Sequence, residues 1–168
     1  MCDIDFLIVI AAYVIPIYVA NGCALLFGGG LPLDFNRKLF GKPILGKGKT
    51  FRGTFAGLFF GVLSVLILSP FIPKWFVADY MIFGILLVVG ALSGDIFASF
   101  LKRRFGLERG HAIPLLDQLD FVVGSMVFTL QMRVPRMEEV LFIVALTLFM
   151  HRFSNYIAYR IKVKEVPW

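Results

Sequence analysis

Long apolar runs are the feature that most limits what this chain can fold into. Five of them occur among 168 residues: 4–27, 54–72, 77–101, 115–132 and 138–161. At about 1.5 Å per helical residue, each is long enough to cross a hydrocarbon core of about 30 Å. The composition agrees, since 59% of the residues are hydrophobic and only 17% are charged. The sequence therefore predicts an all-α polytopic membrane protein with five transmembrane helices.

Basic residues predict how these helices are oriented. The connection 28–53 holds six Lys or Arg residues against a single acid, Asp34, and a second basic connection covers 102–114. Short connections rich in Lys and Arg stay on the cytoplasmic side, so we expect both to be cytoplasmic loops. The N-terminus is then outside and the C-terminus is cytoplasmic. We expect residues 1–168 to form one transmembrane domain in the cell membrane, with any active site facing the cytoplasm.

Two soluble-protein interpretations fail on this pattern. The net charge of +6 does not indicate nucleic-acid binding, because the basic residues lie beside membrane ends and lack the interleaved aromatics of a binding face. The stretch "GKPILGKGKT", residues 41–50, resembles half of a phosphate-binding P-loop, but Gly48 stands where the metal-binding Ser or Thr is required. No α/β P-loop fold can form around the apolar runs, so the stretch needs another explanation.

Three aspartates mark a possible reaction centre at the cytoplasmic face. Asp95 lies on the third predicted helix, and Asp117 and Asp120 share a face at the start of the fourth. An unpaired Asp within such a helix costs about 3 kcal/mol, so something positive must neutralise the group. Salt bridges to the basic cluster 102–104 are one solution. A hard cation is the other, since Mg²⁺ is usually held by one or two carboxylates together with substrate phosphates.

Other membrane proteins also place carboxylates on facing helices. A transporter of a phosphorylated or anionic solute is the main alternative, although acids grouped with basic loops at one face favour a catalytic surface over a midplane pathway. A CDP-alcohol phosphotransferase is a second alternative. Its pattern continues D-x-x-D-G-x-x-A-R, whereas here Phe121 follows Asp120. Cytidine nucleotide binding would separate an enzyme from a transporter.

The order of these residues resembles a known family. The segment "SGDIFASFLKRRFGLERGHAIPLLDQLD", residues 93–120, is similar to the signature of the CTP:phosphatidate cytidylyltransferases in the CDP-lipid synthase superfamily. The bacterial pattern has His-Gly-Gly where this chain has "RGHAIP". With "IPIYVANGCALLFGGGLPLDF", "ILGKGKTFRGT", "PLLDQLDFVVGS" and "KEVPW", the chain resembles the compact archaeal branch, the CDP-archaeol synthase family, along essentially its full length.

This resemblance implies a reaction. It implies an integral membrane transferase, a CTP-dependent nucleotidyltransferase, that moves CMP from CTP to 2,3-bis-O-geranylgeranylglycerol 1-phosphate and releases pyrophosphate. The product, CDP-archaeol, belongs to archaeal ether phospholipid biosynthesis. It further implies magnesium as cofactor, five membrane helices and a cytoplasmic CTP site. The expected partners are thus CTP, an isoprenoid glycerol phosphate lipid and the bilayer.

The resemblance also implies roles for individual residues. Lys49, Thr50 and Arg52 of "GKTFRG" are expected at the nucleotide, where glycines admit an oxyanion and basic side chains neutralise it. We expect Asp95, Asp117 and Asp120 to hold the metal and, with Lys49 and Arg52, to form the catalytic set. The remaining expectations are Asn21, His111 and Gln118 for CTP, and Lys102, Arg103 and Arg104 for the lipid phosphate or the CTP tail. Helix packing remains an alternative for Asn21, a solvated loop position for His111, and contact with lipid headgroups for 102–104.

Overall fold

The structure is a computed structural model that describes residues 3–107 and 113–160. The predicted nucleotide contact His111 lies outside the described residues. The elements are α1 (Asp3–Leu26), β1 (Lys38–Leu39), β2 (Lys42–Pro43), α2 (Phe51–Leu68), α3 (Tyr80–Arg104), α4 (Pro114–Thr129) and α5 (Met137–Arg160). A short 3₁₀ turn, Ser69–Phe71, continues α2. The predicted all-helical character is confirmed for the described chain apart from one small β-hairpin, which the sequence analysis did not predict.

Three of the described helices are long and apolar enough to cross a membrane. They occupy Ile4–Leu26, Phe51–Phe71 and Tyr80–Arg104. The helix α4 has 16 residues, which gives a length of only about 24 Å. The helix α5 has 24 residues but includes Glu138, Glu139, His151, Arg152 and Arg160. The membrane character is thus clear, whereas the count of five spans and their orientation stay predictions.

Glycine seams let the helices pack with their backbones close together. The helix α2 faces α1 through Gly53, Gly57 and Gly61, and a Cβ atom at Gly57 would lie 2.6 Å from the Ala20 carbonyl oxygen. Small residues of this kind are typical of helix contacts in membranes, where the apolar solvent gives no hydrophobic drive. The helices α3 and α4 meet in the same way, because a Cβ at Gly94 would collide with the Asp120 carbonyl oxygen. This close contact brings the neighbouring aspartates of the two helices together.

An aromatic cluster of the buried core lies at the end of the bundle opposite the basic connections. Tyr13, Phe76 and Phe83 form an edge-to-face aromatic cluster with ring centroids 5.2 to 5.7 Å apart. The Tyr80 hydroxyl donates to the Ala12 carbonyl oxygen at 2.9 Å. Asp79 caps the start of α3 by accepting from the Ile82 N–H. These contacts fix α1 against α3 and so set the position of the other, polar end of α3.

Candidate active site

The connection between α1 and α2 is folded around one buried aspartate, Asp34. Its carboxylate accepts hydrogen bonds from the Asn36, Leu45 and Gly46 N–H groups at 3.0, 2.8 and 2.9 Å. Burial alone would raise the pKa of Asp34, but these backbone N–H groups stabilise the charged form, and together they leave the pKa below its usual value. Asp34 thus joins the two halves of the loop and fixes the segment that leads to Lys49.

Lys49 connects this loop to the membrane helices. Its Nζ lies 2.5 Å from an Asp95 carboxylate oxygen in the polar part of α3. The Lys49 backbone is fixed as well, because its carbonyl oxygen accepts from the Leu33 N–H at 2.8 Å. The next residue, Thr50, caps α2 and accepts hydrogen bonds from the Gly53 and Gly29 N–H groups. The former P-loop candidate therefore presents a single lysine to a helix carboxylate.

A second lysine–aspartate pair lies beside the first. Lys102 Nζ, in the last turn of α3, lies 2.6 Å from Asp117 Oδ1 in the first turn of α4. The other oxygen of Asp117 accepts the Ile113 N–H at 3.2 Å. A carboxylate at a helix N-terminus also interacts favourably with the helix dipole. Salt bridges to lysine thus neutralise two of the three acids, although only Lys102 belongs to the predicted cluster 102–104. Neutralisation by a cation stays a prediction.

Lys49, Asp95 and Asp117 line one cavity of about 270 Å³, called here the acidic cavity, whereas Lys102 contacts Asp117 without lining the cavity itself. Its wall comes from all five helices and the end of the loop, and the polar residues in it are Asn21, Lys49, Thr50, Thr54, Asp95, Asp117 and His151. Gln118 does not line the cavity directly; its Nε2 lies 3.1 Å from His151 Nδ1 and so joins α4 to α5. Carboxylates, ammonium groups and amides are the groups needed to hold a phosphorylated substrate with a hard cation.

Asp120 lies apart from this cavity. It is one turn beyond Asp117 on α4, close enough to Asp95 and Asp117 to interact electrostatically with both. One of its oxygens accepts the adjacent Phe121 N–H at 2.7 Å. In residues 3–107 and 113–160, no three His, Cys, Asp or Glu side chains form a ready metal cluster. The predicted carboxylate trio is close together, but lysines hold two members and the third belongs to the next turn.

A larger cationic cavity adjoins the first on the other side of the loop. Its volume is about 560 Å³, and its charged wall residues are Lys38, Lys42, Lys47 and Arg103. The segment 46–49 divides the two cavities, because Gly46 and Lys47 line the cationic one whereas Gly48 and Lys49 line the acidic one. The sequence analysis missed this cavity. The sequence feature that could have indicated it is the set of lysines in this loop. That set had been explained by the preference of basic loops for the cytoplasmic side.

Some predicted residues are placed differently from the expectation. Arg52 is exposed at the start of α2 and is absent from both cavity walls. The basic cluster 102–104 is divided among three tasks: Lys102 pairs with Asp117, Arg103 lines the cationic cavity, and Arg104 donates to the Leu39 and Pro43 carbonyl oxygens of the hairpin. The Arg104 guanidinium also lies 5.4 Å from the Phe100 ring centre. The structure gives Arg104 a role in holding the hairpin.

Comparison with known proteins decides the family. The model for CarS-like CDP-archaeol synthases matches residues 3–168. The chain belongs to the CDP-archaeol synthase family. It is 44% identical over 158 residues to the CDP-archaeol synthase of Sulfolobus acidocaldarius, covering 93% of this chain and 94% of that protein. It is 39% identical over 166 residues to that of Methanocaldococcus jannaschii, with 93% and 94% covered.

A solved structure agrees with this assignment. The chain is similar to an intramembrane enzyme for archaeal membrane lipid biosynthesis, with a TM-score of 0.79 and 31% identity over 86% of this chain and 91% of that one. This member of the CDP-archaeol synthase family is therefore a membrane cytidylyltransferase, a CTP-dependent nucleotidyltransferase that makes CDP-archaeol. The function implied by the sequence resemblance is confirmed, and the transporter alternative is not favoured.

Proposed function

We propose that CTP and 2,3-bis-O-geranylgeranylglycerol 1-phosphate react in the acidic cavity, at the membrane ends of α3 and α4. The observation that carries this proposal is the pair of lysine–aspartate contacts, Lys49 with Asp95 and Lys102 with Asp117. Both aspartates and Lys49 line the cavity, and Lys102 reaches it through Asp117. Both substrates are polyanions, so bringing them together requires cationic side chains that can leave their carboxylate partners and contact phosphate. Lysine suits this task because its ammonium is a flexible point charge with three donors.

The lysines are the groups that exchange partners. Without substrate, each ammonium compensates a carboxylate that would otherwise be an uncompensated charge. When phosphates enter, Lys49 and Lys102 donate to phosphate oxygens and release their aspartates. Asn21 and the Gln118–His151 pair lie on the same wall or directly behind it, where amide and imidazole groups can contact the nucleotide. The release of two carboxylates at the arrival of a triphosphate couples substrate binding to formation of a cation site.

The released carboxylates fit Mg²⁺. Their donors are hard oxygens, and Mg²⁺ is commonly held by one or two carboxylates together with substrate phosphates, so a preformed trio is unnecessary. Asp95 and Asp117 would hold the ion, and Asp120 would add negative potential from the next turn. The ion would supply charge neutralisation at the reacting phosphates. We retain Asp95 and Asp117 as ligands and treat Asp120 as an electrostatic support of that site.

The chemistry then requires little more than charge and position. An oxygen of the lipid phosphate attacks the α-phosphorus of CTP, and the bond from that phosphorus to the oxygen bridging the α- and β-phosphates breaks. The electron pair leaves with pyrophosphate, and no proton has to be removed from the nucleophile, which is already anionic. The cationic cavity lies on the other side of the segment 46–49. Its wall residues Lys47 and Arg103 are suited to stabilise the β- and γ-phosphates and the departing pyrophosphate.

The lipid arrives from the bilayer, since its hydrocarbon chains cannot cross cytosol. An apolar groove of about 870 Å³ runs along α3 and α4, and Phe97, Leu119, Asp120 and Val123 are among its lining residues. We place the isoprenoid chains there because the groove is lined by Asp120 and extends to the polar ends of α3 and α4. Five spans, with both basic connections in the cytoplasm, would place the CTP site on the cytoplasmic side. The hydrogen bonds from Arg104 to the hairpin support this topology, because they hold the two connections at the same end.

The test is CMP transfer from labelled CTP to added lipid phosphate by purified protein, with and without Mg²⁺. We expect Mg²⁺-dependent product, with loss of activity in Asp95→Asn and in Lys49→Ala. The matched control is Glu138→Gln, which removes an exposed acid at the start of α5 and should leave the rate unchanged. Full activity in Asp95→Asn would remove this residue from the site. Geranylgeranyl-ether and diacyl phosphates offered side by side test the lipid assignment.

The groove has its own test. Val123→Trp fills it with a bulky side chain at an exposed position, and we expect a higher KM for lipid with an unchanged KM for CTP. The matched control is Leu63→Trp, on the exposed apolar face of α2. An equal effect of the two substitutions on the lipid KM would show that the chains do not occupy the groove.

A further inference from the structure

The tip of the β-hairpin holds a phenylalanine that the hairpin itself does not require. Phe40 and Gly41 connect β1 to β2 and have φ angles of 53° and 78°, a two-residue turn with both residues left-handed. A left-handed conformation is unfavourable for a residue with a Cβ atom, and Asn, Asp or Gly is the usual choice in this turn. The Phe40 side chain is 89% exposed. Neither turn geometry nor internal packing accounts for an aromatic ring at this position.

The surroundings of the tip are strongly cationic. Arg37, Lys38 and Lys42 are exposed on or next to the hairpin. The acid of this loop, Asp34, is buried and its carboxylate accepts backbone hydrogen bonds, so it presents little charge to the surface. The Leu39 side chain, next to Phe40, is 39% exposed. The hairpin therefore presents an apolar tip within a group of positive charges.

The hairpin is held at the level where a membrane helix ends. Arg104 is the last residue of α3, and α3 is one of the helices long and apolar enough to span a bilayer. Its guanidinium donates to the Leu39 carbonyl oxygen at 2.7 Å and to the Pro43 carbonyl oxygen at 2.6 Å. Lys42 Nζ in turn donates a long hydrogen bond, 3.4 Å, to the Arg104 carbonyl oxygen. These contacts tie both sides of the turn to the boundary between hydrocarbon and water.

We propose that this hairpin tip is a membrane-docking element that binds the anionic surface of the adjacent leaflet. Phe40 and Leu39 enter the boundary between headgroups and chains, where aromatic side chains are favoured, and Lys38 and Lys42 contact anionic headgroups. Basic residues close to such a surface are attracted to it electrostatically. The proposal uses none of the residues of the acidic cavity, and its apolar tip, Leu39 and Phe40, lines neither of the two polar cavities. Lys38 and Lys42 also line the cationic cavity, so the test rests on the tip. It gives the loop that carries Lys49 a second attachment point, in the bilayer.

A tryptophan reporter tests the depth of the tip. Phe40→Trp, in a chain with Trp75→Phe and Trp168→Phe, is reconstituted into vesicles that contain anionic lipid with brominated acyl chains. We expect blue-shifted emission that the brominated lipid quenches, and weaker quenching when neutral lipid replaces anionic lipid. The matched control is Lys47→Trp in the same background, an exposed position of the same loop beyond the hairpin. Equal quenching at the two positions, or none at Phe40→Trp, would overturn the proposal.

A second variant separates docking from folding. Phe40→Asn suits the left-handed turn better than phenylalanine and so keeps the hairpin, while removing the apolar tip. We expect anionic vesicles to slow tryptic cleavage after Lys38 in the native chain severalfold, and to lose this effect in Phe40→Asn. Protection that depends on protein density in the vesicle and is indifferent to lipid charge would identify a second copy of the chain as the occupant. That outcome would contradict membrane docking.

Discussion

Ion pairs lie at both ends of the helix bundle, but they differ in burial and in geometry. Arg133 and Glu139 make two parallel contacts of 2.7 and 2.6 Å, and Glu139 is completely buried. Each lysine–aspartate pair of the acidic cavity makes a single contact, and its side chains remain between 15% and 24% exposed. The first kind of pair is closed and the second opens onto space that a ligand can enter.

The closed pair has every feature of a structural element. The Arg133 guanidinium lies 4.6 Å from the Phe76 ring centre and donates to the Tyr13 hydroxyl, while Glu139 also accepts the Arg136 N–H. The planar guanidinium favours this fixed, bidentate geometry. An ammonium on a flexible chain has no such preference for one partner. The comparison indicates that arginine is used where the contact must persist and lysine where it must be exchanged.

The largest effect on activity is expected for Asp117→Asn. Asparagine keeps the size of the side chain but loses the charge that pairs with Lys102 and, in the proposed complex, with Mg²⁺. By analogy with the loss of one preorganised electrostatic contact, CMP transfer should fall roughly 10²- to 10³-fold. Thermal unfolding should change far less than activity. A rate within twofold of the native enzyme would mean that the open pairs are as structural as the closed one.

The next effect concerns stability and comes from Glu139→Gln. The substitution leaves the largely buried Arg133 without its counter-charge, which costs up to about 3–5 kcal/mol for a fully buried pair. Thermal unfolding should therefore occur at lower temperature, while the kcat of the remaining folded protein should be unchanged. The control is Glu138→Gln, whose carboxylate is 61% exposed and 3.6 Å from Arg136. Equal thermal stability of the two variants would contradict the structural role of the closed pair.

A smaller effect is expected from Lys47→Gln in the cationic cavity. Loss of one charged contact to phosphate worth roughly 1.4 kcal/mol should raise the KM for CTP about tenfold. The change should be smaller at high salt, because the contact is partly exposed and therefore screened. Lys74→Gln, which removes an exposed lysine outside both cavities, is the matched control. If the two variants have the same KM, the cationic cavity does not receive the triphosphate.

Sequence reasoning predicted candidate site residues more readily than their contact partners. Asp95 and Asp117 were identifiable because a carboxylate in an apolar helix is costly and stands out. The pairing of Asp95 with Lys49 was not, since 46 residues separate them and only the path of the folded loop joins them. That path depends on Asp34, whose carboxylate accepts hydrogen bonds from N–H groups 11 and 12 positions later in the chain. The hairpin escaped prediction because its strands have two residues each, too few for any periodicity.

The smallest effect, and the most local, is the response of the loop to acid. The pKa of Asp34 is lowered in the folded chain, so its contribution to stability is present above the unfolded value of about 3.9 and is lost as the pH falls through the lower folded value. Hydrogen exchange at the Leu45 and Gly46 amides reports this directly. Their protection relative to Asp34→Asn should be largest near neutral pH and should vanish on acidification. The Ile44 amide, which donates to the Arg37 carbonyl oxygen, is the internal reference. An undiminished difference at low pH would mean that the carboxylate charge does not hold the loop, and that the position of Lys49 has another origin.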